Sequence, residues 1–143
     1  MTYTKSCRHE MRVPGEPAVI PVHLVADTGG AEVNMPINIP WEQCRLAYAY
    51  TVTTVAEGNK GAVTVDLELN ASGGTAIMAI AIAQNAAVGD LDEGTFSAGG
   101  EAAGQNLNAD VAARDAINVE VDSANTTTWQ GMLYMYFEPW LSG

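Results

Sequence analysis

The sequence predicts an all-β protein, a sandwich or barrel of about eight antiparallel strands that follows an extended N-terminal arm. Three observations carry this prediction. Apolar and polar residues alternate in several short segments, turn residues separate those segments at regular spacing, and no heptad or βαβ alternation competes. We place the arm at residues 1–17 and a single domain at residues 18–143, because a chain of 143 residues fits one domain.

The first two predicted strands each contain a proline. Residues 18–25 read AVIPVHLV and residues 33–39 read VNMPINI. Pro21 lacks the N–H that a central strand donates to its neighbour, so the first segment is expected to be an edge strand or an extended arm. In the second segment, around Pro36, apolar residues alternate with polar residues or proline, which is typical of a half-buried strand.

The next predicted strand covers residues 46–55 and has large side chains at every second position. We expect this bulky side to face the core, with Ala and Thr on the other side. Its members are Leu46, Tyr48, Tyr50 and Val52.

Two more strands are predicted before the middle of the chain ends. A hairpin-type connection at residues 57–61 leads to residues 62–69, where valine and leucine alternate with threonine and acidic residues. A turn at residues 70–74 follows. Residues 77–82, IMAIAI, fit a strand or a helix by composition, and the glycines before them favour a strand.

Residues 84–115 are rich in Gly and Ala, and we expect loops there with a weak strand near residues 94–97. The closing strands are predicted at residues 116–121 and 129–138. On the last strand Tyr134 and Tyr136 share one face, while Leu133, Met135 and Phe137 take the other. With both faces apolar, one is expected to meet the core and the other a second subunit or partner.

The charge of the chain is acidic and uneven. The net charge is -11, and residues 1–25 hold three cations, Lys5, Arg8 and Arg12, against Glu10 and Glu16, a net of +1 that leaves -12 for the rest. An acidic body argues against binding nucleic acid or an anionic membrane, both of which require clustered Lys and Arg. The basic arm could still meet an acidic partner.

The sequence contains no recognisable catalytic or metal-binding motif. Cys7 and Cys44 are too far apart for a zinc or redox motif and are expected to be free thiols. The two histidines, His9 and His23, are too few for a cupin-type metal site. Asp90 and Asp92 begin a D-x-D pattern that breaks before a calcium loop is complete, so a solvated acidic turn is expected. We therefore predict no enzymatic activity and no cofactor.

No targeting or membrane-spanning segment is expected. The N-terminus MTYTKSCR lacks the apolar region of a signal peptide, and no apolar run approaches the ~18 residues of a membrane helix. Only 16 % of the residues are charged, whereas 48 % are hydrophobic. Much of the surface must then consist of Ala, Gly, Ser, Thr and Asn. Such a surface tends to associate with other molecules, or a partner covers it.

The last third of the chain resembles the closing strands of the jelly-roll decoration, or cement, proteins on the heads of tailed bacteriophages. The resemblance rests on residues 110–138, DVAARDAINVEVDSANTTTWQGMLYMYFE, where an acidic turn precedes a strand, a Thr/Gly-rich turn and a final strand that ends in Phe-Glu. Residues 48–55 and 61–69 fit the earlier hairpin of that family. The resemblance thus covers roughly residues 40–139. It departs at Arg114-Asp115-Ala116, where the family often has Gly-Asp.

The resemblance implies an antiparallel β-sandwich of jelly-roll type and a non-enzymatic structural protein of the virion. Such proteins are commonly homotrimers that bind the major capsid protein on the outer capsid surface and clamp neighbouring capsomers. The expected contact residues lie in the arm and on the final strand: Lys5, Arg8, Arg12, Trp129, Tyr134, Tyr136 and Trp140. The alternative is a carbohydrate- or receptor-binding jelly-roll module of a phage head or tail, with the same aromatic residues as its sugar platform.

Overall fold

A computed structural model of the chain describes residues 18–26, 32–39, 43–58, 61–109, 113–123 and 128–139. The predicted basic arm at residues 1–17, with Lys5, Arg8 and Arg12, lies outside the described residues, as does Trp140. The placement of the domain boundary at residue 17 therefore stays a prediction.

The described residues form nine strands and one short helix. The elements are β1 (Ala18–Val25), β2 (Val33–Asn38), β3 (Cys44–Val55), β4 (Val63–Leu69), β5 (Thr75–Ile82), β6 (Leu91–Glu93), β7 (Thr95–Phe96), α1 (Gly100–Ala103), β8 (Ala116–Ser123) and β9 (Gln130–Pro139). Every strand predicted from the sequence is present, and residues 77–82 belong to a strand rather than a helix.

The strands form two antiparallel sheets in the order β1-β9-β3-β6 and β2-β8-β4-β5-β7. The pairs are nested: β1 pairs with β9, β2 with β8, β3 with β6, and β4 with β5. This order arises when a long antiparallel ribbon folds over and its strand pairs alternate between two sheets. It is the strand order of a double-sheet jelly roll. The predicted fold class is confirmed.

The two strands with an internal proline lie at sheet edges, as Pro21 predicts for β1. β1 is the first strand of the four-stranded sheet and β2, with Pro36, is the first strand of the five-stranded sheet. The opposite edges are β6 and β7, which contain three and two residues. Proline and very short strands both limit pairing with strands of other molecules, so each described edge is protected.

The core lies between the two sheets and contains the inward side chains of both. On β4 the alternation predicted from sequence holds, since Val63, Val65 and Leu67 are buried. On β9 the predicted division also holds. Leu133, Met135 and Phe137 have no accessible surface, whereas the two tyrosines between them are half-buried on the opposite face.

The predicted core face of β3 is wrong. Leu46 is buried, but a β-bulge between Leu46 and Tyr48 shifts the alternation by one residue. Beyond the bulge Ala49, Thr51 and Thr53 point inward, and the tyrosines and Val52 point away from the core. A single inserted residue reverses the face of the side chains that follow it, because side chains alternate with a period of two. A second shift between Thr53 and Val55 then turns Val55 outward as well.

The predicted hairpin at residues 57–61 is also wrong, because β3 and β4 belong to different sheets. The turn after β4 does close a hairpin, β4 to β5, and Asn70 adopts a left-handed conformation with φ 70° there. A connection rich in glycine thus indicates that the chain reverses, but it does not determine whether the next strand pairs with the last one.

The segment of weak strand propensity, residues 91–96, passes from one sheet to the other. β6 pairs with β3 in the first sheet and β7 pairs with β5 in the second. Gly94 lies between them, where a Cβ atom would overlap the side chain of Met78 and approach the Ala49 carbonyl oxygen at 3.1 Å. A residue with a side chain at this position would force Met78 out of its place in the core, so the crossing favours glycine.

Candidate interaction surface

The outer side of the four-stranded sheet is apolar and aromatic, and we call it the tyrosine face. The register of the strands brings its members together. They are Val19, Pro21, His23 and Val25 of β1, Gln130, Met132, Tyr134 and Tyr136 of β9, Tyr48, Tyr50, Val52 and Val55 of β3, and Leu91 and Glu93 of β6. An apolar sheet side that points away from the core is unusual in a chain that acts alone.

Four tyrosine rings form the centre of the tyrosine face. The rings of Tyr48 and Tyr136 stack with a centroid separation of 4.7 Å, and those of Tyr50 and Tyr134 stack at 5.1 Å. Tyr48 and Tyr50 are also stacked, at 6.3 Å. Stacking between neighbouring strands holds each ring in one orientation and covers at least one face of each ring. The result is a stiff aromatic surface rather than a set of separate, mobile side chains.

The exposed hydrophobic side chains concentrate on this face. Among the described residues six large hydrophobic side chains are exposed, and five of them belong to the tyrosine face, with exposures from 37 to 55 %. These five are Val19, Val25, Tyr48, Val55 and Leu91. The sixth, Val88, lies in the turn before β6. Exposed apolar side chains that occur together rather than singly mark an interaction site.

Ionised groups lie at the margin of the tyrosine face. Arg45 of β3 and Glu138 of β9 are register partners and form an ion pair at one end of the sheet. Glu93 lies on the short edge strand β6. The middle of the face consists of tyrosine, valine and methionine side chains, which a partner surface can cover without leaving a charge unpaired.

The outer side of the five-stranded sheet has the opposite character, and we call it the acidic face. Asp66 and Glu68 of β4 lie beside Glu120 and Asp122 of β8, with Asp66 directly opposite Glu120. The five strands of this sheet contain no lysine or arginine. Burial, followed by the charges of Glu68, Glu32 and Asp66, raises the pKa of Glu120 to about 7. Because its strands contain carboxylates and no cation, the acidic face still repels other anionic surfaces at neutral pH.

The structure separates the aromatic residues that the sequence grouped together. Tyr134 and Tyr136 lie on the tyrosine face, where the sequence predicted a partner-facing surface. Trp129 has no accessible surface, and its indole Nε1 donates a hydrogen bond to Thr53 Oγ1 at 3.0 Å. Trp129 therefore belongs to the core, and its expected role as a direct contact residue is wrong. The four remaining candidates, Lys5, Arg8, Arg12 and Trp140, lie outside the described residues.

Sequence reasoning missed Tyr48 and Tyr50 as surface residues. The alternation of β3 by itself assigned them to the core, and the bulge that turns them outward has no clear sequence signal. The one available indication was that β3 and β9 both contain a Tyr-x-Tyr pair, in residues 48–50 and 134–136. Two such pairs on adjacent antiparallel strands stack well only when they share a face.

Two shallow grooves border the four-stranded sheet. One has a volume of about 280 Å³ and is lined by Tyr48, Tyr50, Leu91 and Glu93 on the tyrosine face. The other has a volume of about 240 Å³ and lies at the Arg45–Glu138 end, next to Phe96 and Glu101. Neither groove brings together a nucleophile and a base, which catalysis of acyl or phosphoryl transfer would require.

The remaining chemically active groups have structural roles. The Cys44 thiol is buried, and burial raises its pKa to about 12, which suppresses the reactive thiolate. Asp90 Oδ2 accepts a hydrogen bond from the Ala87 backbone N–H at 2.8 Å, so it caps a turn. Over the described ranges no group of three or more His, Cys, Asp or Glu side chains could hold a metal ion.

Comparison of the chain with protein-family models, with curated proteins and with solved structures finds no match. In the part of the chain that the structure describes, no helix has the length and apolar character needed to cross a membrane.

Proposed function

We propose that this chain is a non-enzymatic structural protein of a virion, which binds the outer capsid surface and cements or decorates neighbouring capsomers. The observation that carries the proposal is the tyrosine face, a rigid apolar surface that the isolated chain leaves uncovered. Its central residues lie on the longest paired strands, so the surface is part of the fold and not of a loop. A protein built in this way is suited to broad contacts with other protein subunits.

The resemblance to phage decoration proteins narrows this general role to the capsid surface. The jelly-roll order agrees with what that resemblance implies, although one fold hosts many functions. In this proposal the major capsid protein is the partner, and the basic residues Lys5, Arg8 and Arg12 of the arm provide charges complementary to an acidic surface. The resemblance also implies a homotrimer.

The experiment that tests the proposal is co-sedimentation with capsids. The chain would be produced alone, mixed with undecorated capsids made from the major capsid protein of the same genome, and pelleted. We expect saturable binding, and we expect the triple variant Lys5→Ala, Arg8→Ala, Arg12→Ala to bind more weakly and with less dependence on salt. Absence of the wild-type chain from the pellet at both low and physiological salt would refute the role on the capsid.

A carbohydrate- or receptor-binding module is the second candidate. The groove of about 280 Å³ beside Tyr48 and Tyr50 favours it, since aromatic side chains next to a carboxylate such as Glu93 can bind sugars. The stacking of the four tyrosines weighs against it, because ring faces that cover one another are not open to a sugar ring. Retention of the chain on an immobilised polysaccharide, lost in Tyr48→Ala, would favour this function over cementing.

A further inference from the structure

We propose that the tyrosine face is the contact between two copies of this chain, which pack sheet against sheet about a two-fold axis. The inference rests on the proposed function and names a second copy of the chain, in place of the capsid protein, as the partner that covers the tyrosine face. The contact with the capsid then falls to the basic arm of the proposed function. The inference replaces the homotrimer that the resemblance implies with a dimer, because a face that packs against itself closes at two copies.

The chemistry of the tyrosine face suits a contact with itself. In a two-fold contact each patch meets the same patch, so a charged centre would place like charges together. Here the centre is Tyr48, Tyr134 and Tyr136 with Val52 and Met132, and it contains no Asp, Glu, Lys or Arg side chain. The stacked rings are already ordered in the single chain, which lowers the entropy lost when the two faces meet.

The area of the tyrosine face is sufficient for a dimer. The four strands contain 33 residues in all, and each residue covers about 16 Å² of the sheet at a rise of about 3.3 Å and a strand spacing of about 4.8 Å. The planar footprint is about 500 Å² a copy and about 1,000 Å² for two, which reaches the lower limit for a specific interface. An affinity of about 1 µM is the corresponding expectation, because interfaces of this size are commonly weak.

Contact through the tyrosine face avoids the electrostatic repulsion that contact through the acidic face would cause. Contact through the acidic face would bring Asp66, Glu68 and Glu120 of each copy together. Contact through the tyrosine face instead places the two acidic faces three sheet spacings apart, about 30 Å, which is more than three Debye lengths at physiological salt. Pairing through the described edges is limited by the prolines of β1 and β2 and by the shortness of β6 and β7.

The test is the mass of the purified chain in solution, measured by light scattering over a concentration series from about 1 to 100 µM around the expected affinity. We expect the mass to rise from 15.1 kDa towards twice that value. In Tyr136→Lys the dissociation constant should rise at least about 100-fold, since an ammonium group would be buried without a partner. Thr64→Lys adds the same charge to the acidic face and should leave the dimer intact.

Several outcomes would overturn the two-fold contact. A monomer at all concentrations would do so, as would a trimer, or a dimer that Thr64→Lys weakens more than Tyr136→Lys. If Tyr136→Lys fails to fold, as judged by its circular dichroism, Tyr48→Lys takes its place, because Tyr48 is 48 % exposed and its replacement spares the core. Capsid co-sedimentation is scored separately, so a monomer that pellets refutes only the dimer, and a dimer that does not pellet refutes only the capsid role.

Discussion

The packing of Trp129 over Gly131 makes a sharp prediction about stability. Both residues are buried, and the indole ring occupies the space that a side chain at position 131 would fill. A Cβ atom at position 131 would lie 2.5 Å from Trp129 Cζ2, 2.8 Å from Cη2 and 3.1 Å from the Val52 carbonyl oxygen. Carbon atoms in contact normally lie about 3.5–4.0 Å apart, so the ring would have to move by about 1 Å.

We therefore expect Gly131→Ala to lower the free energy of unfolding by about 3 kcal/mol, the upper part of the range for an overpacked core. Trp129→Phe should cost about 2 kcal/mol, because it removes the 3.0 Å hydrogen bond and strands the buried Thr53 hydroxyl. Phenylalanine lacks Cζ2 and Cη2, the two ring atoms that a Cβ atom at position 131 would meet. In the double variant, alanine at position 131 should then cost about 1–2 kcal/mol less than in the wild-type background.

The assay is urea unfolding of the wild type, both single variants and the double variant, at one protein concentration. Circular dichroism would monitor all four proteins, since the tryptophan signal is lost in two of them. The coupling of about 1–2 kcal/mol should appear as a shift of the midpoint with little change in slope. If the costs of the two single variants add up to the cost of the double variant within about 0.5 kcal/mol, the indole ring does not clash with the alanine methyl group. The packing argument would then be refuted.

Three further predictions concern the acidic face, the turn network and the buried thiol. The carboxyl of Glu120 binds its proton more tightly when folded than when unfolded, so stability should fall as pH rises from about 4.5 to about 7. Glu120→Gln should flatten the change in melting temperature between pH 5 and pH 8, and an unchanged profile would contradict the shift. Asp115 accepts hydrogen bonds from Asn108 N at 2.7 Å and Asn70 Nδ2 at 3.0 Å. Asp115→Ala should cost about 1–3 kcal/mol in thermal unfolding, whereas Asp122→Ala removes the same charge from an exposed site and should cost nothing. Equal costs would mean that charge and not hydrogen bonding matters at Asp115. Finally, in a Cys7→Ser background Cys44 should react with a thiol reagent only after denaturant is added, and rapid labelling of the native protein would contradict its burial.

Most of the fold could be predicted from the sequence because local patterns determine strands. Alternation of apolar and polar residues located β4 and β9 and their buried faces, and Pro21 placed β1 at an edge. These features follow from the two-residue period of a strand and from the missing N–H of proline, which do not depend on distant residues. The division of the last strand into a core side and an outward tyrosine side was predicted in the same way.

The composition of the tyrosine face and the position of Trp129 required the tertiary structure, because both depend on residues that are far apart in sequence. The bulge in β3 turned Tyr48 and Tyr50 outward, and only the pairing of β3 with β9 brought them against Tyr134 and Tyr136. Trp129 was predicted to be a contact residue at the start of the last strand, whereas the structure packs its ring over Gly131 in the core.

The acidic face likewise formed only when β4 and β8 became neighbours. By itself, the sequence determined which segments are strands and which of them can lie at an edge. The tertiary structure decided what each face of each sheet presents, since a face is made of side chains from several strands whose register no single strand determines.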